Sequence, residues 1–247
     1  MTLRGHFIPD HNIALFLDVD GTLLEIASTP DAVKVPAALR NTLHLAAARE
    51  DGALALISGR SISELDRLFA PWLFPAAGQH GLERRDAEGK LIQPTIDTAA
   101  LQPARAALGE LQLRHKGLLL EDKATALAMH YRLAPACEAA VREVMTALAA
   151  PLAGQFVLRS GKCVLELAPA GFSKRGAIEA FMSEAPFAGR IPVFIGDDVT
   201  DEDGFAAVNA LNGYSIRVGN GAPTSARHRF GSVSAVVAWL RERNVNR

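Results

Sequence analysis

The chain has 247 residues, 49% of them apolar and 21% charged, with a formal net charge of −1. This is the composition of an ordinary soluble globular protein, long enough for one large domain or two smaller ones. The near-neutral charge argues against a broad nucleic-acid surface and leaves room for a local cationic pocket.

Residues 1–10 lack the apolar core of a secretory signal, and no segment approaches the length of a membrane span, so a cytoplasmic, reduced setting is expected. The apolar run Ala14–Leu17 reads as a buried strand and stops at Asp18-Val19-Asp20-Gly21-Thr22. Asp18 and Asp20 alternate with Val19, so an extended backbone would aim both carboxylates to one side. Their repulsion calls for a divalent cation or a proton, and Gly21 permits a sharp turn behind them. Glu25 to Val35 reads as a loop punctuated by Pro30 and Asp31. Pro36 fits the first turn of a helix whose apolar face is Leu39, Leu43 and Ala46 or Ala47. Ala53–Ile57 is a second buried strand and ends in Ser58-Gly59-Arg60. Ser61 with Glu64 has the pattern of a capping box. Strand, helix and strand in that order predict a right-handed parallel crossover. A short extended piece near Phe74–Ala77 leads into Gly78-Gln79-His80-Gly81-Leu82-Glu83.

From about Ala99 the pattern changes. Leu101, Ala104, Leu108 and Leu111 predict an amphipathic helix, and Gly117–Tyr131 two strands. Cys137, Ala140, Val141, Val144 and Leu148 give another helix. Phe156–Arg159 and Val164–Leu167 flank the turn Ser160-Gly161-Lys162 as a hairpin. The order αββαββ marks residues 100–170 as an inserted α+β domain, leaving 1–99 and 171–247 as an α/β core. Cys137 and Cys163 sit in no metal-ligand spacing and read as small buried apolar residues. Alternation then resumes with a helix through Ile178, Phe181 and Met182. A strand at Ile191–Ile195 ends in Gly196-Asp197-Asp198-Val199-Thr200-Asp201-Glu202-Asp203. Tyr214–Val218 is a further strand before the turn Gly219-Asn220-Gly221, and Val233, Val236, Val237 and Leu240 close the chain as a helix.

Three apolar strands thus end in polar residues, and such strand ends lie side by side on one crevice. Asp18, the backbone carbonyl of Asp20 and one or two of Asp197, Asp198 and Asp201 offer the hard oxygen donors of a Mg²⁺ site. The Ser58 hydroxyl and the Lys174 ammonium could hold phosphate oxygens. Taken singly, they read as a capping turn and an exposed lysine on a helix's first turn.

The ordered set Asp-x-Asp-Gly-Thr, Ser58, Lys174 and Gly-Asp-Asp-x-x-Asp resembles the haloacid dehalogenase (HAD) superfamily of phosphotransferases. That resemblance implies a Rossmann-like parallel-sheet core with an inserted α+β cap of the C2 type. It makes Asp18 a nucleophile forming an aspartyl-phosphate, and Asp20 the acid and then the base. Ser58 and Lys174 would bind the phosphoryl group, while Asp18, Asp20 and Asp197, with Asp198 and Asp201, hold Mg²⁺. Gly78–Glu83, Glu121-Asp122-Lys123, His130-Tyr131-Arg132, Gly161–Glu166 and Gly196–Glu202 are similar to the trehalose-6-phosphate phosphatase family, with the likeness running from Ala14 to about Leu240. The resemblance assigns Glu121, Lys123, Arg132, Lys162 and Glu166 to the sugar, and counts Arg60, His80 and His130 among substrate contacts. It implies hydrolysis of trehalose 6-phosphate to trehalose and phosphate, a small-molecule partner, and neither nucleic acid nor membrane. Another sugar-phosphate phosphatase, a phosphohexomutase or a non-catalytic sugar-phosphate binding module are the alternatives. Where that family usually has glycine after the motif lysine, Arg175 stands here before Gly176. The sequence leaves the oligomeric state open.

Overall fold

Every residue of Ile13–Leu17 is apolar, and in the computed structural model the run forms β1 with all five side chains buried. The structure describes residues 8–27, 33–220 and 223–245, so most of the segment read for a signal, together with Pro30, Asp31 and Gly221, lies outside them. The chain forms two compact units, Met1–Gln93 with Phe172–Arg247, and Pro94–Gly171.

In the first unit, α1 (Ala37–Arg49) starts one residue later than expected, because Pro36 is its extended N-cap. β2 (Leu54–Ile57) follows, then α2 (Ile62–Phe69), whose first turn is closed by the reciprocal Ser61–Glu64 capping box. β3 (Ala76–Gly78) pairs parallel to β2, and β4 (Glu83–Arg85) and β5 (Leu91–Ile92) continue the sheet antiparallel.

The second unit contains α3 (Gln102–Arg114), β6 (Leu119–Asp122), β7 (Leu127–His130), α4 (Glu138–Ala149), β8 (Phe156–Gly161) and β9 (Val164–Pro169). Its sheet has the order β6-β7-β9-β8 with antiparallel neighbours. The β8–β9 turn is shorter than expected. Ser160 and Gly161 extend β8, and Lys162-Cys163 make the reversal with Cys163 at φ 61°. One face, with Leu127, Met129, Leu165 and Leu167, packs into a core with Leu108, Val141 and Met145. Cys137 precedes α4 as its N-cap instead of lying within it, and both thiols are free and only half-buried.

Back in the first unit come α5 (Lys174–Met182), β10 (Ile191–Gly196), α6 (Glu202–Ala210), β11 (Tyr214–Val218), β12 (His228–Phe230) and α7 (Val233–Val245). Among the described residues eight strands form one sheet, ordered β12-β11-β10-β1-β2-β3-β4-β5, and the first six run parallel. Alternate residues of β1 face opposite cores. Ile13, Leu15 and Leu17 pack with residues of α1, α2 and α7, and Ala14 and Phe16 with residues of α5 and α6. The result is a doubly wound sheet whose order runs outward in both directions from β1. Its crevice therefore opens at the C-terminal ends of β1 and β10. Among the described residues no helix is long and apolar enough to cross a membrane.

Candidate active site

Asp18 leaves the end of β1 with its N–H still donated to Ile195 of β10, at 2.9 Å. Gly21 then turns with φ +89°, and a Cβ there would lie 2.1 Å from Asp197 Oδ2. Only a glycine lets the β1 turn and the β10 carboxylate approach this closely. Beyond β10, the backbone N–H groups of Asp197 and Asp198 both donate to Asp201 Oδ2 at 2.8 Å. Lys174 is the first residue of α5, and Ser173 caps that helix by accepting from the Gly176 N–H. The Lys174 ammonium donates to Asp18 Oδ1 at 2.7 Å and to Asp201 Oδ1 at 2.6 Å. At 3% exposure it is not the solvated lysine that its helix position suggests. Arg175 points away from this cluster into an exposed pair with Glu179, so the departure at that position falls on the solvent side.

Asp18, Asp197 and Asp201 are all buried, and each offers a carboxylate oxygen within 4.8 Å of the others. Burial drives the Asp18 carboxyl well above the usual carboxylate range; Lys174 opposes that rise, and Asp201 and Asp197 add to it. Burial alone would lower the Lys174 ammonium, but Asp18 and Asp201 outweigh it and keep the group protonated. Three carboxylates against one ammonium make a buried anionic cluster of hard oxygen donors, and that donor set fits Mg²⁺.

Asp20 follows a different path from the one an extended Asp-x-Asp suggests. Its two oxygens are gripped by Arg60, Nε to Oδ2 at 2.6 Å and Nη2 to Oδ1 at 2.8 Å. Asp18 and Asp20 thus meet different cations, Lys174 and Arg60. Asp198 is the N-cap of the short 3₁₀ turn Val199–Asp201, its carbonyl accepting the Asp201 N–H at 3.1 Å. Ser58 is buried at the end of β2, where its Oγ accepts the Arg60 N–H at 3.1 Å. His80 is half-buried, and its imidazole lies against Gly59.

In the second unit, strand register gathers the polar residues on one face. Glu121 opposes Ala128, Ala128 opposes Glu166, and Glu166 opposes Arg159, so the four form a row across the sheet. His130 and Lys123 lie two residues along from that row. His130 Nε2 meets Glu121 Oε2 at 2.7 Å, and Lys123 Nζ donates to Glu166 Oε1 at 3.1 Å. Small Ala128 lies between the two carboxylates and is itself buried. Arg132 and Lys162 stand apart, at the hairpin end, where Arg132 Nη2 donates to the Lys162 carbonyl at 2.7 Å. Sequence reasoning missed Arg159, whose alternation with Phe156 and Leu158 was the available signal. It marked the stretch Gly78–Glu83 but gave no role to Gln79 and Glu83, a buried hydrogen-bonded pair beside the Ser58–Arg60 loop.

The trehalose-phosphatase family model matches residues 16–233. The chain is 48% identical over 227 residues to the trehalose-6-phosphate phosphatase of Escherichia coli (strain K12), covering 92% of this chain and 85% of that protein. The solved C-terminal domain of the C. albicans trehalose-6-phosphate phosphatase superposes with a TM-score of 0.88 at 19% identity, covering 99% of each chain. A phosphatase of the haloalkanoate (HAD) enzyme superfamily from Bacteroides thetaiotaomicron gives a TM-score of 0.61 at 18% identity, covering 99% of this chain and 98% of that one. At those identities the two structures speak for the fold.

Proposed function

The chain belongs to the trehalose-phosphatase family, and from that premise we propose that it hydrolyses trehalose 6-phosphate to trehalose and inorganic phosphate by way of an aspartyl-phosphate on Asp18. The observation that carries the mechanism is the burial of Lys174 between Asp18 and Asp201 at a strand-end crevice. A free Asp18 oxygen attacks phosphorus, and the P–O bond to the sugar breaks. Asp20, having released Arg60 and taken up a proton, gives that proton to the departing alkoxide, then takes one from the water that cleaves the acyl phosphate. Lys174 and the Ser58 hydroxyl hold phosphoryl oxygens as charge spreads over them. Asp201 anchors Lys174 through one oxygen and the 197–198 backbone through the other. Mg²⁺, held by Asp18, Asp197 and the Asp20 carbonyl with Asp198 and Asp201 in support, would neutralise the phosphate dianion.

Sugar hydroxyls need donors and acceptors side by side, and the face with Glu121, Lys123, His130 and Glu166 provides both, with Arg132 and Lys162 at its end. Selection of trehalose 6-phosphate would come from hydroxyl recognition on that face, since phosphate and metal contacts are common to every phosphomonoester. The setting we propose is the cytoplasm, because a dianionic sugar phosphate does not cross a bilayer unaided. Phosphate release from trehalose 6-phosphate, glucose 6-phosphate and sucrose 6-phosphate tests the reading. Clear preference for the first is expected. Equal rates would make this a general sugar-phosphate phosphatase, and binding without turnover would make it a binding module.

A further inference from the structure

The turn after β3 combines three features that a substrate contact does not need. Gln79 and His80 both adopt left-handed backbone, at φ 46° and 57°, which residues with a Cβ avoid unless the surroundings impose it. Both N–H groups are spent on the Ser58–Arg60 loop, Gln79 donating to the Arg60 carbonyl at 2.8 Å and His80 to that of Ser58 at 2.9 Å. The side chains face protein as well. The His80 ring so fills the space over Gly59 that a Cβ there would lie 2.6 Å from Nε2. The Gln79 amide donates to the buried Glu83 carboxylate, whose other oxygen accepts the Ile62 N–H at 2.9 Å. The third residue, Gly81, meets the other side of the site. A Cβ at Gly81 would lie 2.5 Å from the carbonyl oxygen of Ser173, the cap of the helix that begins with Lys174.

We propose that Gln79-His80-Gly81 is a positioning element of the phosphate site, setting the spacing between the Ser58 hydroxyl and the Lys174 ammonium, and that His80 is a positioning residue instead of a sugar contact. This rests on the phosphate roles given above to Ser58 and Lys174. Two phosphate-holding groups carried by separate elements, β2 and α5, need a rigid spacer, because sub-ångström misplacement of either weakens binding of the transferring group. The turn touches both elements through backbone atoms, the stiffest means available.

The test compares trehalose 6-phosphate with p-nitrophenyl phosphate, which has no sugar, and adds inhibition by orthophosphate. His80→Asn keeps a residue that tolerates left-handed backbone but lacks the ring atoms over Gly59. It is expected to lower kcat/KM about tenfold on both substrates alike and to weaken orthophosphate inhibition in parallel. Gly59→Ala is expected to lose more, roughly a hundredfold, by driving a methyl into the imidazole. The double variant Gly59→Ala with His80→Asn should recover to the His80→Asn level, because the added methyl then meets no ring. Loss confined to trehalose 6-phosphate, no loss on either substrate, or absence of rescue would each overturn the proposal. If His80→Asn fails to fold, Gly81→Ala makes the same two-substrate comparison from the Ser173 side. A wild-type protein that cleaves p-nitrophenyl phosphate but not trehalose 6-phosphate would remove the substrate reading, while the aryl ester and orthophosphate still test the turn.

Discussion

The charged groups of the two units are organised in opposite ways. In the first unit, Asp18, Lys174 and Asp201 come from three elements far apart in the chain, all are buried, and each satisfies another. In the second, Glu121, His130, Lys123 and Glu166 come from one sheet and the residue just past its edge strand; the Glu121–His130 pair is about a quarter exposed, and the Lys123–Glu166 pair is a tenth exposed or less. A buried, mutually locked set is suited to one ligand of fixed charge and shape, the phosphoryl group. It is also intolerant, since removing one member leaves another buried without its counter-charge. The partly exposed Glu121–His130 pair can exchange its internal bond for hydroxyls at small cost. On the function proposed above, that difference assigns chemistry to the first unit and selection to the second, and substrates that share the phosphate but not the sugar can break it.

The largest effect is expected at the nucleophile. Asp18→Asn keeps size and shape but removes the attacking anion, so kcat/KM should fall by about 10⁴-fold or more on trehalose 6-phosphate and p-nitrophenyl phosphate equally. Substantial turnover in a folded variant would remove Asp18 from the reaction. Chelation comes next. Exhaustive removal of divalent cations should cost at least about a hundredfold on both substrates and be reversed by Mg²⁺, because the carboxylate cluster otherwise repels the incoming phosphate. Activity that survives chelation would show that Asp18, Asp197 and Asp201 form no catalytic metal site.

That division was only half legible in the sequence. The runs that became β1, β2 and β10 are buried on both faces, so their apolar content announced them, and their polar ends marked the crevice. β4, β5 and β12 escaped because two or three residues cannot show a period, and His228-Arg229-Phe230 is mostly polar. The residue types at the core site were readable, but their pairing was not. Lys174 looks like a surface residue until Asp18, 156 positions away, lies beside it. Arg60 looked like a substrate contact, and the structure binds it to Asp20. In the second unit the alternation was visible, whereas the row Glu121–Ala128–Glu166–Arg159 depends on a register that sequence does not state.

A smaller and more selective effect is expected on the polar face. Glu166→Ala removes the carboxylate partnered by Lys123, and a site built to hydrogen-bond hydroxyls is sensitive to one missing partner. The loss on trehalose 6-phosphate should be about tenfold in kcat/KM, with p-nitrophenyl phosphate changed far less. Equal losses on both would place Glu166 in folding or in the shared chemistry, and would erase the contrast between the two units.

The smallest effect sharpens the comparison through stability. Burial pushes the Glu121 carboxyl up, but the hydrogen bond with His130 and the charge of Lys123 outweigh it and hold the group below its ordinary value of 4.5, with Glu166 opposing. A carboxyl lowered in the folded state binds its proton more readily when unfolded. Its contribution to stability is therefore complete above the unfolded value and is lost as pH falls through the folded one. Replacing Glu121 by Gln removes the titration and keeps the shape. The wild type should melt about 2 °C above Glu121→Gln near neutral pH, a small gap because the pair is partly solvated. As pH falls below 4.5 and on through the lowered folded value the gap should close, as wild-type Glu121 takes up its proton and becomes nearly equivalent to the amide. Thermal unfolding of both proteins across that range is the measurement, and it reads the second unit without any substrate. A gap that stays constant from neutral to acid pH would mean that Glu121 is held by uncharged hydrogen bonding. The polar face would then hold no ion pair at Glu121–His130, and the contrast with the buried charges around Lys174 would be sharper still.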